Sequence, residues 1–98
     1  MRLEVRFTEQ AEKDLQDIVT YLEEVWNEKV VDDFISEIDE QIDRIAEMPY
    51  LFPKTEKRES VRKCLINKRV ALFYKVTENV IFLLSFRSTR RNPESSLY

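Results

Sequence analysis

Residues 69–76 read RVALFYKV, a run of β-branched and aromatic side chains that predicts a strand. Successive side chains of a strand point to opposite sides, so this strand has two different faces. The face that we expect to contact the core carries Val70, Leu72, Tyr74 and Val76. The opposite face carries Arg69, Ala71, Phe73 and Lys75.

Two further strands are predicted on either side of this one, over Val61–Ile66 and Val80–Phe86. The connections Asn67-Lys68 and Glu78-Asn79 are short, and short connections predict an antiparallel meander. Because the chain contains no glycine, we expect asparagine to supply the permissive backbone geometry at these turns.

The first half of the chain predicts a strand followed by two amphipathic helices. Apolar and charged residues alternate over residues 3–7, and Thr8 can cap the helix that follows. Apolar residues recur at helical spacing as far as Asn27, and we expect Asn27 to close the first helix in left-handed geometry. The same spacing then resumes and continues to Pro49, where we expect the second helix to end. The expected fold class is therefore α+β: one domain over residues 1–98, ordered β-α-α-β-β-β, with a helical hairpin packed on an antiparallel sheet.

Two groups of side chains in this half carry further expectations. On the first helix, the acidic residues expected on the outer face are Asp14, Asp17 and Glu24. The loop over residues 49–60 begins with an unusually apolar stretch, and three of its side chains are expected to pack onto the fold: Tyr50, Leu51 and Phe52.

The composition argues against several kinds of chemistry. The chain has no histidine, one cysteine and no glycine, so we expect no metal cluster, no histidine-activated nucleophile, no glycine-rich phosphate loop and no cofactor. We expect Cys64 to be a small buried hydrophobe in a reducing compartment. The apolar runs are too short to span a bilayer, and residues 1–10 do not resemble a signal peptide, so we expect a cytoplasmic protein without a membrane partner.

Charge divides the chain into two unlike halves. Residues 1–53 hold 5 Lys/Arg and 15 Asp/Glu, whereas residues 54–98 hold 11 Lys/Arg and 4 Asp/Glu, giving balances of −10 and +7. This asymmetry indicates one of two things. Either the basic half binds an anionic partner such as nucleic acid, or the two halves offset each other within the fold.

Four stretches follow one another at a characteristic spacing: FTEQAEKDL at 7–15, AEMP at 46–49, the strand pair RVALFYKV at 69–76 with IFLLSFR at 81–87, and TRRNP at 89–93. Together they resemble the RelE/ParE superfamily of bacterial toxins, whose members are also known as plasmid stabilisation proteins. The resemblance covers nearly the whole chain. It implies the toxin of a type II toxin–antitoxin pair, neutralised by a separately encoded antitoxin protein.

The resemblance implies two different activities. RelE-like members cut mRNA in the ribosome, whereas ParE-like members inhibit DNA gyrase and do no chemistry themselves. We expect first a metal-independent endoribonuclease that binds RNA and cleaves ribosome-associated mRNA. The alternatives are a ParE-like gyrase inhibitor and a degenerate member that only binds its antitoxin or RNA.

The RelE-like reaction further implies a basic cluster on the face of the sheet away from the helices. The catalytic candidates, which would stabilise the phosphorane charge, are Arg62, Arg69 and Arg87. The nucleic-acid-binding candidates are Lys63, Lys68, Arg90 and Arg91.

Two departures from the RelE-like pattern reduce the case for cleavage. Ala71 stands where RelE-like enzymes place a key arginine, and the histidine that the family often has near Arg87 is missing. Glu56 or Glu59 remains as a candidate base, and Tyr98 as a candidate acid.

Overall fold

The computed structural model describes residues 2–58 and 60–89. Within them the elements follow the expected order: β1 (Glu4–Phe7), α1 (Glu9–Val25), α2 (Glu28–Glu47), β2 (Val61–Leu65), β3 (Val70–Val76) and β4 (Val80–Ser88). Strands β2, β3 and β4 form the expected antiparallel meander. Both helices contribute side chains to the main core against one face of the sheet, so the predicted α+β arrangement is confirmed.

The first strand completes a mixed sheet. β1 pairs in parallel with β4, so the strand order is β1-β4-β3-β2. The sequence order alone did not indicate this partner, because the helical hairpin carries the chain away from β1 before the meander begins. The pairing sets Val5 beside Ile81, and Val5 packs against the main cluster under the helices.

Helix α1 begins after Thr8, as the sequence predicted, but Asn27 has a different role from the predicted one. Thr8 caps α1 by accepting a hydrogen bond from the Ala11 amide at 3.2 Å. Asn27 does not close α1 in left-handed geometry. It has φ −145° and caps α2, accepting from the Val30 amide at 3.1 Å.

The β2–β3 turn also avoids left-handed geometry, since residues 2–58 and 60–89 include none with positive φ. Asn67 acts through its side chain: Oδ1 accepts hydrogen bonds from the amides of Arg69 at 2.7 Å and Val70 at 3.0 Å. The expectation of a permissive backbone at this position was therefore wrong, and a side-chain acceptor takes its place.

The core lies where the alternation of β3 predicted it. Val70, Leu72 and Tyr74 pack with the helices in the main cluster, and Ala71 and Phe73 form a second cluster with Val61 on the other face. The main cluster also contains side chains from the helices, from β2 and the residue after it, and from β4: Ala11, Phe34, Ile38, Ile45, Cys64, Ile66, Ile81, Leu83 and Phe86.

An irregularity in β4 changes which side chains reach the core. The register of β3 and β4 shifts between Phe73 and Tyr74, which leaves Leu84 as the extra residue of a bulge. Phe86 consequently joins Leu83 in the main core, while Leu84 packs with the second cluster. Arg87 is then paired opposite Ala71.

Asp14 lies on the sheet side of α1 and not on its outer face as predicted. Its Oδ2 accepts hydrogen bonds from Ser85 Oγ at 2.6 Å and from the Phe86 amide at 3.1 Å. Ser85 is fully buried, so this carboxylate satisfies polar groups at the bulge.

No helix within the described residues is long and apolar enough to cross a bilayer.

Candidate functional site

Arg62 lies on the helix-facing side of the sheet, contrary to the expected cluster on the other face. In the β2–β3 register it is paired opposite Tyr74, whose side chain is in the main core. Side chains directly opposite one another in a sheet share a face. Lys63, one position further, is exposed and paired opposite Phe73, on the face away from the helices.

The guanidinium of Arg62 is used to hold a loop. Its Nη1 donates hydrogen bonds to the carbonyl oxygens of Phe52 at 2.7 Å and Tyr50 at 3.5 Å. The guanidinium carbon also lies 5.0 Å from the centroid of the Tyr50 ring, within the range of a cation–π contact. The arrangement makes Arg62 a clamp on residues 50–52.

Tyr74 holds the same loop from the core side. Its hydroxyl donates to the Pro49 carbonyl at 2.7 Å, and its ring meets Phe52 edge to face with centroids 6.4 Å apart. Burial, partly offset by the nearby Arg62 charge, raises the pKa of Tyr74 to about 12. The expectation that Tyr74 contacts the core is confirmed.

The apolar start of this loop only partly packs onto the fold. Phe52 is half-buried against the main cluster, as expected. Tyr50 and Leu51 instead remain 66% and 53% exposed, so that expectation was wrong for both. The bonds of Arg62 and Tyr74 fix the backbone of the loop, and burial of these two side chains is not needed to hold it.

A groove of about 610 Å³ lies between α1 and the adjoining ends of β3 and β4. It forms where β4 runs past Leu83, the last residue that it pairs with β1. The lining residues combine apolar and charged side chains: Asp14, Asp17, Ile18, Tyr21, Leu22, Trp26, Arg69, Val70, Phe86, Arg87 and Ser88. Tyr21 and Trp26 are 57% and 52% exposed, so the groove presents two accessible aromatic side chains.

Arg87 contributes a buried donor to this groove, and that donor is not hydrogen-bonded to any described residue. Its Nε is buried and has no hydrogen-bond partner among the described residues. The ion pairs found within the described part of the chain do not include it, although Asp14 and Asp17 line the same groove. A buried N–H without a partner costs free energy, so Arg87 Nε is an unsatisfied donor beside this groove.

The structure brings together two of the three arginine candidates. Arg69 is exposed and borders the groove with Arg87, whereas Arg62 faces the helix side at β2. Lys68 is exposed in the turn before Arg69, and its carbonyl accepts from Thr89 Oγ1 at 2.6 Å. Glu56 is exposed in the loop before β2. Four candidates lie outside the described residues: Glu59, Arg90, Arg91 and Tyr98.

Cys64 has the structural role that was expected for it. Its side chain is fully buried in the main core. Burial raises the pKa of its thiol to about 11, partly offset by the Arg44 charge, so the thiolate is disfavoured at neutral pH. Among the described residues, no three His, Cys, Asp or Glu side chains are grouped so that they could hold a metal ion.

The groove was not predicted from the sequence, and Arg62 lies on the face opposite to the predicted one. A signal for Arg62 was present, because Cys64 and Ile66 follow it at even spacing and both are expected to be buried. The groove had no such signal. It depends on the length of β4 beyond β1 and on the side of α1 that carries Asp14.

Comparison with solved structures finds the same fold in several toxins. The most similar structures include the chromosomal ParDE system from P. aeruginosa (TM-score 0.76, 16% identity, 89% of this chain and 96% of that one). They also include the isolated E. coli RelE toxin (TM-score 0.63, 18% identity, 94% and 89%) and the YoeB dimer from Staphylococcus aureus (TM-score 0.63, 23% identity, 89% and 97%). At these identities the likeness establishes the fold.

The family follows from the sequence model that the chain matches. No curated protein sequence matches the chain. The family model for the ParE toxin of the type II toxin–antitoxin system parDE, however, matches residues 5–93, which is most of the chain. The predicted resemblance to the RelE/ParE superfamily is thereby confirmed, and the chain belongs to the ParE toxin family of type II toxin–antitoxin systems.

Proposed function

We propose that this toxin acts as a protein that binds and inhibits DNA gyrase, without cutting RNA. The observation that carries the proposal is the use of Arg62 as a loop clamp. Cleavage by the RelE-like route needs several cationic side chains around one phosphate. Here the β2 arginine faces the helices, so it does not join Arg69 and Arg87 around a common anion.

Two further features support an inhibitor without catalytic chemistry. Ala71, at the middle of the face away from the helices, offers no charge, and the chain has no histidine to act as a base near neutral pH. The family model that matches residues 5–93 is that of ParE, which favours the ParE-like alternative over the RelE-like one.

We also propose that the cognate antitoxin occupies the groove between α1 and the ends of β3 and β4. Its aromatic side chains, Tyr21 and Trp26, are exposed, and its guanidinium at Arg87 lacks a partner for Nε. An amphipathic antitoxin segment that folds on binding could bury the two rings and bring a carboxylate to Arg87.

Cleavage of mRNA on the ribosome remains a second candidate, because Arg69 and Arg87 border one groove and Lys63 lies on the face away from the helices. In that case Arg69→Ala and Arg87→Ala would relieve toxicity by removing charge-assisted contacts to phosphate. Each such contact is worth about 1.5–3 kcal/mol.

The two candidates are separated by inducing the chain in a bacterium and following two readouts. Supercoiling by purified DNA gyrase should fall as purified toxin is added, while mapped mRNA keeps its original ends in the arrested cells. New mRNA ends within translated frames, with gyrase activity intact, would replace the proposal by the cleavage candidate. Co-expression of the antitoxin should restore growth in either case.

A further inference from the structure

Three large apolar side chains are exposed together just after α2. Met48, Tyr50 and Leu51 are 54%, 66% and 53% exposed, and the Leu51 amide donates to the Met48 carbonyl at 3.1 Å to make a tight turn. We call residues 48–51 the apolar turn. Apolar side chains this exposed and this close in sequence are typical of a contact surface.

The apolar turn is held rigidly from behind. Tyr74 binds the Pro49 carbonyl and Arg62 binds the Phe52 carbonyl, each at 2.7 Å. The Lys63 amide donates to the Pro53 carbonyl at 3.0 Å, which attaches the following residues to the edge of β2. Because these bonds already order the backbone, a partner that binds the turn loses little conformational freedom there.

The surroundings of the turn define the chemistry of its partner. Residues 54–58 hold three Lys/Arg and one Glu, and the Arg62 guanidinium lies against the Tyr50 ring. A tyrosine beside exposed aliphatic groups is typical of a protein interface, where such residues contribute much of the binding energy. The net positive charge of residues 54–58 is complementary to carboxylates on the partner.

A nucleic acid fits these features less well. The guanidinium of Arg62 is occupied by carbonyl oxygens of the loop and is not presented to a phosphate. Met48 and Leu51 have no ring on which a base could stack. The features therefore favour a protein over RNA.

We propose that the apolar turn is the surface by which this toxin binds its protein target, and that the target offers an apolar pocket with a rim of carboxylates. The proposal rests on the proposed function, in which the toxin acts by binding a protein. It assigns target binding to the β2 side of the molecule and leaves the groove beside α1 to the antitoxin.

The test compares the double variant Tyr50→Ala/Leu51→Ala with the control Leu65→Ala. Leu65 has the same exposed fraction as Leu51, 53%, but lies in β2 away from the turn. Each variant is induced in a bacterium to measure growth arrest, and is purified for inhibition of DNA gyrase supercoiling and for thermal unfolding. We expect the double variant to lose at least about 10-fold in inhibitory potency, as removal of central interface residues does. We expect Leu65→Ala to match the wild type, and all three proteins to unfold at similar temperatures.

The outcomes separate the two proposals. If the double variant arrests growth like the wild type, the apolar turn is not the target surface, whatever the target is. If arrest depends on Tyr50 and Leu51 but gyrase is unaffected by the wild type, the turn remains the target surface and gyrase is the wrong target. New mRNA ends that disappear in the double variant would assign the turn to RNA and overturn the proposal. A wild type that neither arrests growth nor inhibits gyrase would overturn both proposals.

Discussion

Two arginines of the meander differ in how their hydrogen-bonding groups are satisfied. Arg62, in β2, donates to two loop carbonyls and lies against the Tyr50 ring. Arg87, in β4, has a buried Nε without a partner among the described residues. Both are half-buried, so their exposure does not distinguish them. Their donors do distinguish them: Nη1 of Arg62 is bonded within the fold, whereas Nε of Arg87 has no partner among the described residues, which supports the proposed antitoxin contact.

The regions around the two arginines differ in the same way. The apolar turn near Arg62 is an exposed surface whose backbone is bonded to β2 and β3. The groove near Arg87 is a concave surface between α1 and the ends of two strands. Exposed aromatic side chains occur in both, and the shape and polar groups around them indicate different partners.

The largest effect in this comparison is expected from Arg62→Met, which keeps much of the aliphatic stem and removes the donors. The carbonyls of Phe52 and Tyr50 would lose a charged partner, and we expect the free energy of unfolding to fall by about 1.5–3 kcal/mol. Denaturant unfolding monitored by circular dichroism measures this. An unchanged midpoint would mean that the loop does not depend on the clamp.

Tyr74→Phe tests the other attachment of the loop and should cost about 1 kcal/mol, because the Pro49 carbonyl loses its donor. The variant should also change the response to alkali. The pKa of Tyr74 is about 12 in the folded chain against 10.0 ordinarily, so its stabilising contribution is complete below about pH 10 and is lost as pH rises toward 12.

Unfolding at pH 8 and pH 11 therefore separates the variants. Wild type should lose stability between these values, and Tyr74→Phe should lose less. Cys64 titrates in the same range, with its pKa raised from 9.0 to about 11, so part of the loss should remain in Tyr74→Phe. Equal losses in both proteins would argue that Tyr74 ionisation does not oppose folding.

Asn67→Gly examines the turn that leads into Arg69 and the groove. We expect a loss of about 1 kcal/mol, because the amides of Arg69 and Val70 lose the Asn67 Oδ1 acceptor. Glycine would replace asparagine well at a position with positive φ, but Asn67 has no such geometry. Thermal unfolding of Asn67→Gly and Asn67→Ala provides the check. Clearly better stability of the glycine variant would contradict the side-chain role.

The smallest effect on stability is expected from Arg87→Met, the same substitution as at Arg62. Since Arg87 Nε has no partner to lose, the free energy of unfolding should change by no more than about 0.5 kcal/mol. Antitoxin affinity, measured by calorimetry, should nevertheless fall by about 10- to 100-fold through loss of a charge-assisted contact. Destabilisation as large as that of Arg62→Met would make Arg87 a structural residue.

The sequence predicted those parts of the fold that depend on local periodicity. The alternation over residues 69–76 assigned Leu72 and Tyr74 to the core, and Thr8 marked the start of α1. The sequence did not predict that β1 pairs in parallel with β4, because pairing between distant segments leaves no periodic signal in one chain.

The candidate site was harder to predict, because the spacing of a polar residue does not show whether its side chain faces solvent or bonds to a group inside the fold. Asp14 appeared to belong to the solvent face, yet it accepts from Ser85 and the Phe86 amide. Those bonds depend on the bulge at Leu84, which the sequence of β4 did not indicate. Arg87 was a candidate from the sequence, but its place opposite Ala71 at the edge of the groove follows from this bulge and could not be predicted.

The absence of positive φ among the described residues, in a chain without glycine, has a consequence for the unfolded state. Glycine gives an unfolded chain many additional conformations, and replacing it with alanine where the native φ allows is worth about 0.4–1 kcal/mol through lost chain entropy. This chain already has that advantage at the turns within residues 2–58 and 60–89. Its unfolded ensemble is comparatively restricted, which lowers the entropy lost on folding in a domain small enough to have a thin core.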